Sequence, residues 1–131
     1  MLKTEWKPIY KAKKINIYKN EFIQGYYIGR NLLCVNGHIE AINTNTMCLA
    51  TGRSENDNLE FEFDVVNIDY LDEEDNLYVI FYDVEEMVWC LRSLYTSDYI
   101  GLAEVPMSKY ARIGNLMEDE YWRKEWEKYH E

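Results

Sequence analysis

LEFEFDVVNIDYLDEEDNLYVIFYDVEEMVWCLRSL, residues 59–94, decides the fold class. Its first part alternates. Leu59, Phe61, Phe63 and Val65 fall on one face, and Glu60, Glu62 and Asp64 on the other, the period-two pattern of a half-buried strand with its acids outward. The polar block after it marks a turn. LYVIFYDV (77–84) and MVWCLRSL (87–94) are two further aromatic and β-branched runs, joined by a tight turn around Glu85 and Glu86. Successive strands with connections this short predict an antiparallel meander, and small meanders close into barrels or bend strongly.

Toward the N-terminus the pattern continues. KKINIYKN (13–20) and FIQGYYIG (22–29) are strand candidates, with Ile15 and Ile17 alternating with polar neighbours. NLLCVNGHIEAIN (31–43) reads as a hairpin, because Asn36-Gly37 between two apolar runs is the strongest two-residue turn signal. TMCLATG (46–52) extends the sheet, GRSENDN (52–58) reads as a polar loop, and SKYARIGNL (108–116) adds a final short strand. The C-terminus changes period. Trp122, Trp126 and Tyr129 stand at i, i+4 and i+7, one face of a helix over residues 118–130. Glu118, Asp119 and Glu120 crowd its first turn and Lys128 and His130 its last, as the helix dipole favours. So short a helix is marginal alone. Its tryptophan stripe must therefore pack on its own sheet, on a partner or on a second copy, which makes Trp122 and Trp126 candidate interface residues.

The expected architecture is a mainly β, single domain: a small antiparallel, strongly bent sheet or SH3-like barrel with one C-terminal helix. A basic segment (1–14) precedes the β-rich core (15–116). A chain of 131 residues buries enough surface for one core. Cys34, Cys48 and Cys90 all sit in apolar surroundings, their count is odd, and no apolar leader or membrane-length run precedes them. These features predict a soluble protein of a reducing cytoplasm, without a disulfide framework.

Charge is uneven. Residues 1–30 carry seven Lys/Arg and two Asp/Glu, yet the whole chain is at −10. That sign opposes duplex DNA and anionic membranes as partners and favours a cationic one. A dedicated metal site is not expected. Cys34, His38, Cys48 and Cys90 include no C-x-x-C pair, and the acids from Asp69 to Asp75 lack the spacing and glycine of a calcium loop. Cys34 beside His38 is a weak nucleophile–base pair and no glycine-rich phosphate loop is present, so neither enzymatic activity nor a cofactor is expected. The remaining candidate is an acidic contact surface. Asp69, Asp72, Glu73, Glu74 and Asp75 in one loop and Asp83, Glu85 and Glu86 in the next are read as adjacent, with Glu60, Glu62 and Asp64 adding an outward strand face.

The order of features resembles the YopX family of phage and prophage proteins. That family carries a TGLxDxNGxEIxEGDIV segment before a β-hairpin and closes on xVIGNIxxNPELL. ATGRSENDNLEFEFDVV (50–66) is similar to the first through Thr51, Gly52, Asp57, Asn58, Leu59, Glu60, Asp64, Val65 and Val66. ARIGNLMEDEYW (111–122) is similar to the second through Ile113, Gly114, Asn115 and Leu116. Phe63 stands where the family has glycine, and residues 118–122 replace its closing Asn-Pro-Glu-Leu-Leu. The resemblance implies a small barrel-like β fold and a phage source, hence host bacterial cytoplasm, and no defined activity.

Together these features lead to one expectation. It is a non-enzymatic phage protein that inhibits a host nucleic-acid-binding defence protein, of the anti-CRISPR or anti-restriction type, through a DNA-mimicking acidic surface. Two alternatives stand beside it. One is nucleic-acid binding by Lys3, Lys7, Lys11, Lys13, Lys14 and Lys19, interleaved with Trp6, Tyr10 and Tyr18. The other is a structural phage protein that oligomerises through Trp122 and Trp126.

Overall fold

The computed structural model describes residues 8–15, 21–68 and 76–130. The chain is mainly β, with two antiparallel five-stranded sheets and one C-terminal helix, where the sequence suggested one continuous sheet.

The first sheet holds β1 (Ile9–Lys14), β2 (Phe22–Gly29), β3 (Leu32–Val35), β4 (His38–Glu55) and β5 (Asn58–Phe61) in chain order. β1 also pairs with β4, from Tyr10↔Leu49 to Lys14↔Ile42, which closes β1 to β4 into a ring. Strand β4 makes this possible by its length. It pairs with β3 at its start, β1 in its middle and β5 at its end. Ala12, Leu33 and Ile42 fill the interior, with Tyr10, Ile23, Val35 and Met47 against them. The barrel is tight. A Cβ at Gly25 would overlap the Cys34 carbonyl oxygen on β3, so this position admits only glycine without moving backbone.

The Asn36-Gly37 hairpin forms as its residues dictate, with φ of 50° and 84°. The expected polar loop at 52–58 is instead a second two-residue hairpin. Asn56 and Asp57 take φ of 51° and 64°, and Glu55 pairs with Asn58. Asn and Asp tolerate that region, which is why a polar run could be a turn rather than a loop. The first described strand is Ile9–Lys14, which meets the expected strand over 13–20 only at its start, and residues 16–20 lie outside the described residues. The described part of the basic segment is therefore not separate from the core, because Ile9–Lys14 form a strand hydrogen-bonded on both sides, and residues 1–7 lie outside the described residues.

The second sheet has the order β10-β6-β7-β8-β9, from β6 (Asp64–Ile68), β7 (Leu77–Asp83), β8 (Val88–Ser93), β9 (Tyr99–Gly101) and β10 (Tyr110–Asn115). Both its faces are covered, which explains the continuous apolar run in LYVIFY. On one face Val66, Ile68, Tyr78, Ile80 and Leu91 meet Leu102 and Val105 from the connection after β9. On the other, Val65, Val79, Leu94 and Leu116 meet Phe63, Phe81, Trp122 and Trp126.

The helix α1 (Glu120–His130) begins two residues later than expected and carries an exposed Glu120–Lys124 pair at 3.1 Å. Trp126 lies 4.8 Å from the Phe81 ring and stacks on His130 at 3.6 Å, and His130 Nε2 sits 2.9 Å from the Leu94 carbonyl oxygen. Trp122 and Trp126 thus pack against the protein's own sheet, the first of the three dockings that the sequence leaves open.

The alternating strand over 59–66 is broken. Glu62 and Phe63 form a turn between β5 and β6, and Phe63 has φ of 71°, a left-handed conformation that costs an L-residue about 1–2 kcal/mol. The ring compensates by packing edge-on to Phe81 at 5.5 Å. Phe63→Gly and Phe63→Ala both lose that ring, but only alanine keeps the Cβ penalty. Phe63→Gly is therefore expected to be the more stable of the two by about 1 kcal/mol, the reverse of the usual order in a strand. Urea unfolding of the pair checks this, and an alanine variant of equal or greater stability would refute it.

Candidate functional site

The turn at Phe63 reverses the expected roles of the acids. Because the chain crosses there from the barrel to the second sheet, Glu60 and Asp64 lie between the sheets. Both are buried, a correction to their reading as outward residues of a contact surface. Glu60 accepts hydrogen bonds from Arg53 Nε at 2.8 Å and Nη2 at 2.7 Å, and from the Thr51 and Tyr110 hydroxyls. Burial alone would raise its carboxyl. The bonds from Arg53, Thr51 and Tyr110 outweigh it and hold Glu60 below the usual carboxylate range. Burial, and then the bond to Glu60, push the Tyr110 phenol up. Arg53 reaches on across the gap, donating through Nη1 to the Val105 carbonyl at 2.7 Å and the Leu102 carbonyl at 3.2 Å.

Asp64 forms the second half of the cluster. Its Oδ1 accepts from Asn115 Nδ2 at 2.9 Å and Arg112 Nε at 3.0 Å, with Lys11 Nζ at 3.5 Å. Its Oδ2 accepts the Phe61 backbone N–H at 2.9 Å. Lys11 also pairs with Glu118, and Arg112 Nη2 reaches Glu118 at 3.1 Å. Lys11 is only 5% exposed and rests over the Phe61 ring. It is an internal cation joining β1 to the second sheet and to the segment before α1. That removes Lys11 from the basic surface proposed for nucleic acid. Tyr10 likewise packs against the barrel core, 6.1 Å from Tyr27. Lys3, Trp6, Lys7, Tyr18 and Lys19 lie outside the described residues.

A polar cleft of about 630 Å³ opens over this cluster, with Gln24, Asn58, Ser108 and Met107 on its walls. Its charged floor is internally paired: Lys11 and Arg112 against Asp64 and Glu118, and Arg53 against Glu60. Among the described residues that line it, Glu55 and Asp57 are the charges outside those pairs. The floor thus works as a bridge between the two sheets.

The remaining acids divide. Glu62 is half-buried, and burial raises its carboxyl. Asp83 Oδ1 accepts the backbone N–H of Glu85 at 3.0 Å and of Glu86 at 3.2 Å, so it shapes the β7–β8 turn while Glu85 and Glu86 face solvent. Val84 and Met87 beside them are each 75% exposed. Asp69, Asp72, Glu73, Glu74 and Asp75 lie outside the described residues. The residues that bracket them, Ile68 and Asn76, are joined by a backbone hydrogen bond at one end of β7, whereas Asp83 to Val88 form the other end. Seven residues of strand separate the two ends by roughly 20 Å. The expectation of adjacent acidic loops does not hold for the residues that anchor them. In an antiparallel meander successive turns alternate between opposite ends, and the structure follows that rule.

Cys34 and Cys48 belong to the barrel and Cys90 to the second sheet, and no three metal-ligating side chains gather among the described residues. Burial pushes the Cys48 thiol up to about 12, which makes it an apolar core residue rather than a nucleophile. No described helix is long and apolar enough to cross a membrane.

Sequence reasoning missed Arg53, Tyr110, Arg112 and Asn115 as members of the cluster. Asn115 carried a signal, since it stands in the Ile-Gly-Asn motif. It is fully buried, and its Oδ1 accepts the Met117 and Glu118 backbone N–H groups at 2.8 and 3.3 Å. No family model, curated protein or solved structure matches the chain.

Proposed function

We propose that the protein works by docking, as a phage-encoded, non-enzymatic inhibitor of a host nucleic-acid-binding defence protein. Its contact residues would be the acids of segment 69–75 together with Glu85 and Glu86. Glu60 and Asp64 drop out of that surface and Asp83 supports it from behind. The observation that carries the reading is the division of charge between the sheets. Through the end of β5 the chain holds eight Lys/Arg and six Asp/Glu, and from Glu62 onward six and eighteen. Arg112, one of those six cations, already pairs with internal acids. A lobe of that sign attracts a Lys/Arg-lined cleft and repels nucleic acid itself.

Two features support the resemblance to the YopX family. Phe63, at that family's glycine position, takes the positive φ a glycine would serve. The two similar motifs also meet in space, through Asp64 of the first and Asn115 of the second.

The test is capture of host proteins from bacterial lysate on the tagged full chain, with washes at about 0.1 M and about 0.5 M salt, since screening weakens exposed charge contacts across that range. A nucleic-acid-binding enzyme should be retained at low salt and released at high salt. It should be lost when Asp72, Glu73, Glu74 and Asp75 are all changed to Ser, or when Glu85 and Glu86 are. Retention that ignores both salt and those changes would overturn the reading. Deleting residues 1–14 does not separate this proposal from nucleic-acid binding, because it removes β1 from the barrel.

A further inference from the structure

The free edge of β5 opens into the polar cleft. Among the described residues β5 has β4 as its one strand partner, so its other edge is unpaired. All four of its residues, Asn58 to Phe61, line the cleft. Side chains alternate across a strand, so a cleft that touches successive residues runs along the strand's edge and not over one face. The hairpin register fixes which backbone groups lie there. Glu55 and Asn58 flank the two-residue turn and form a hydrogen-bonded pair, so Ser54 and Leu59 form the next, non-hydrogen-bonded one. The Leu59 N–H and carbonyl therefore point away from β4 and into the cleft. The residues after it keep the alternation. The Phe61 N–H also points outward, where Asp64 Oδ2 accepts it at 2.9 Å, and the Glu62 N–H turns back to the Leu49 carbonyl at 2.9 Å. The outward N–H of Phe61 is thus capped and that of Leu59 is open.

We infer that this edge takes an extended, basic peptide segment of a partner protein as an added strand of the barrel sheet. The Leu59 N–H and carbonyl supply the backbone bonds on which strand addition rests. The cleft supplies the room, since its volume of about 630 Å³ suits the few residues that a four-residue strand of roughly 13 Å can pair. Charge selects the side chains. Five carboxylates line the cleft against two cations, Lys11 and Arg112. Arg53 pairs with one of the five, Glu60. Glu55 and Asp57 remain in excess, both exposed and without an ionic partner among the described residues. A Lys or Arg of the incoming segment answers them, whereas a polyanion is repelled. Asp64 sets the limit of the site. By occupying the Phe61 N–H it closes the edge beyond Leu59, as native edge strands are commonly blunted. The site is separate from the acidic docking surface proposed above, because Glu85 and Glu86 do not line the cleft.

The probe is a synthetic hexapeptide, acetyl-Lys-Val-Lys-Val-Lys-Val-amide, added to the isotope-labelled full chain and followed by amide NMR. The shifts should saturate, with Leu59 among the largest, and the Leu59 amide should exchange with solvent about tenfold more slowly in the complex. The same peptide with every backbone nitrogen methylated keeps the charge but has no N–H to donate, and it should not bind. An alternating Glu-Val peptide should not bind either. Leu59→Pro removes the outward donor without breaking a ladder bond to β4, at the kind of edge position where strands tolerate proline, and should abolish binding. Glu55→Gln plus Asp57→Asn leaves the turn intact, since Asn accepts the φ of 64° at position 57, and should weaken binding by about tenfold. A hexapeptide that gives no saturable shifts overturns the proposal. So does equal binding of the N-methylated peptide, or binding that survives both Leu59→Pro and the paired acid change. The N-methylated control uses the unsubstituted chain, so the test stands even if Leu59→Pro folds poorly. Asp72, Glu73, Glu74, Asp75, Glu85 and Glu86 are unchanged throughout, so failure here leaves the capture of a host protein by the acidic lobe to its own test.

Discussion

Asp64→Ala is expected to destabilise the protein by about 3–5 kcal/mol, the usual cost of removing one partner from a buried ion pair. The size follows from what is left behind. Asp64 is 1% exposed and receives Asn115, Arg112, Lys11 and the Phe61 N–H. Without it, Lys11 keeps only Glu118 as an ionic partner among the described residues, and the Phe61 N–H loses its side-chain acceptor. Arg112 suffers less, because its side chain is partly exposed and water can solvate it. The expected order is therefore Asp64→Ala worst, with Lys11→Met plus Asp64→Leu partly restored, since replacing both charges by apolar groups avoids the stranded cation. Urea unfolding of the three proteins at neutral pH decides it. A loss under about 1 kcal/mol for Asp64→Ala would mean that the cluster is solvated and not a bridge between the sheets.

Trp126→Ala is expected to cost about 3 kcal/mol, near the lower end for an aromatic truncation because the ring is only half-buried. It would remove the contact with Phe81 and the stack on His130, and so the main anchor of α1 on the second sheet. The melting temperature should fall, and the far-ultraviolet helical signal should weaken before the strand signal does. The state of association should not respond to this variant except through unfolding. A folded Trp126→Ala protein of unchanged stability that has lost self-association would restore the helix as an interface and count against the packing described above.

Much of the fold was legible in short stretches. The hairpin at Asn36-Gly37, the strands over 77–83 and 88–93 and the helix face of Trp122 and Trp126 each depend on contacts within a few residues. Turn chemistry and side-chain period report such contacts directly. The misread regions are those where two conformations suit the same residues. GRSENDN is polar enough for a loop, but Asn56 and Asp57 also accept the φ values of a hairpin turn. LEFEFDVV alternates without a break in composition, and only the left-handed Phe63 shows that the chain changes sheets there.

The acidic site was legible in sign but not in place. Net charge and its concentration beyond the barrel can be counted from residues. Which carboxylates reach solvent cannot, because a buried acid differs from an exposed one only in its partners, and those lie far along the chain. Lys11 is 53 residues from Asp64, Tyr110 is 50 from Glu60 and Arg112 is 48 from Asp64. Local pattern therefore set the elements, the small all-β class with its closing helix, and the negative charge. Tertiary packing alone divided the strands between two sheets and turned Glu60, Asp64 and Lys11 inward. Burial of a charge is decided by what meets it across the core, and that meeting exists only once distant segments have closed on one another.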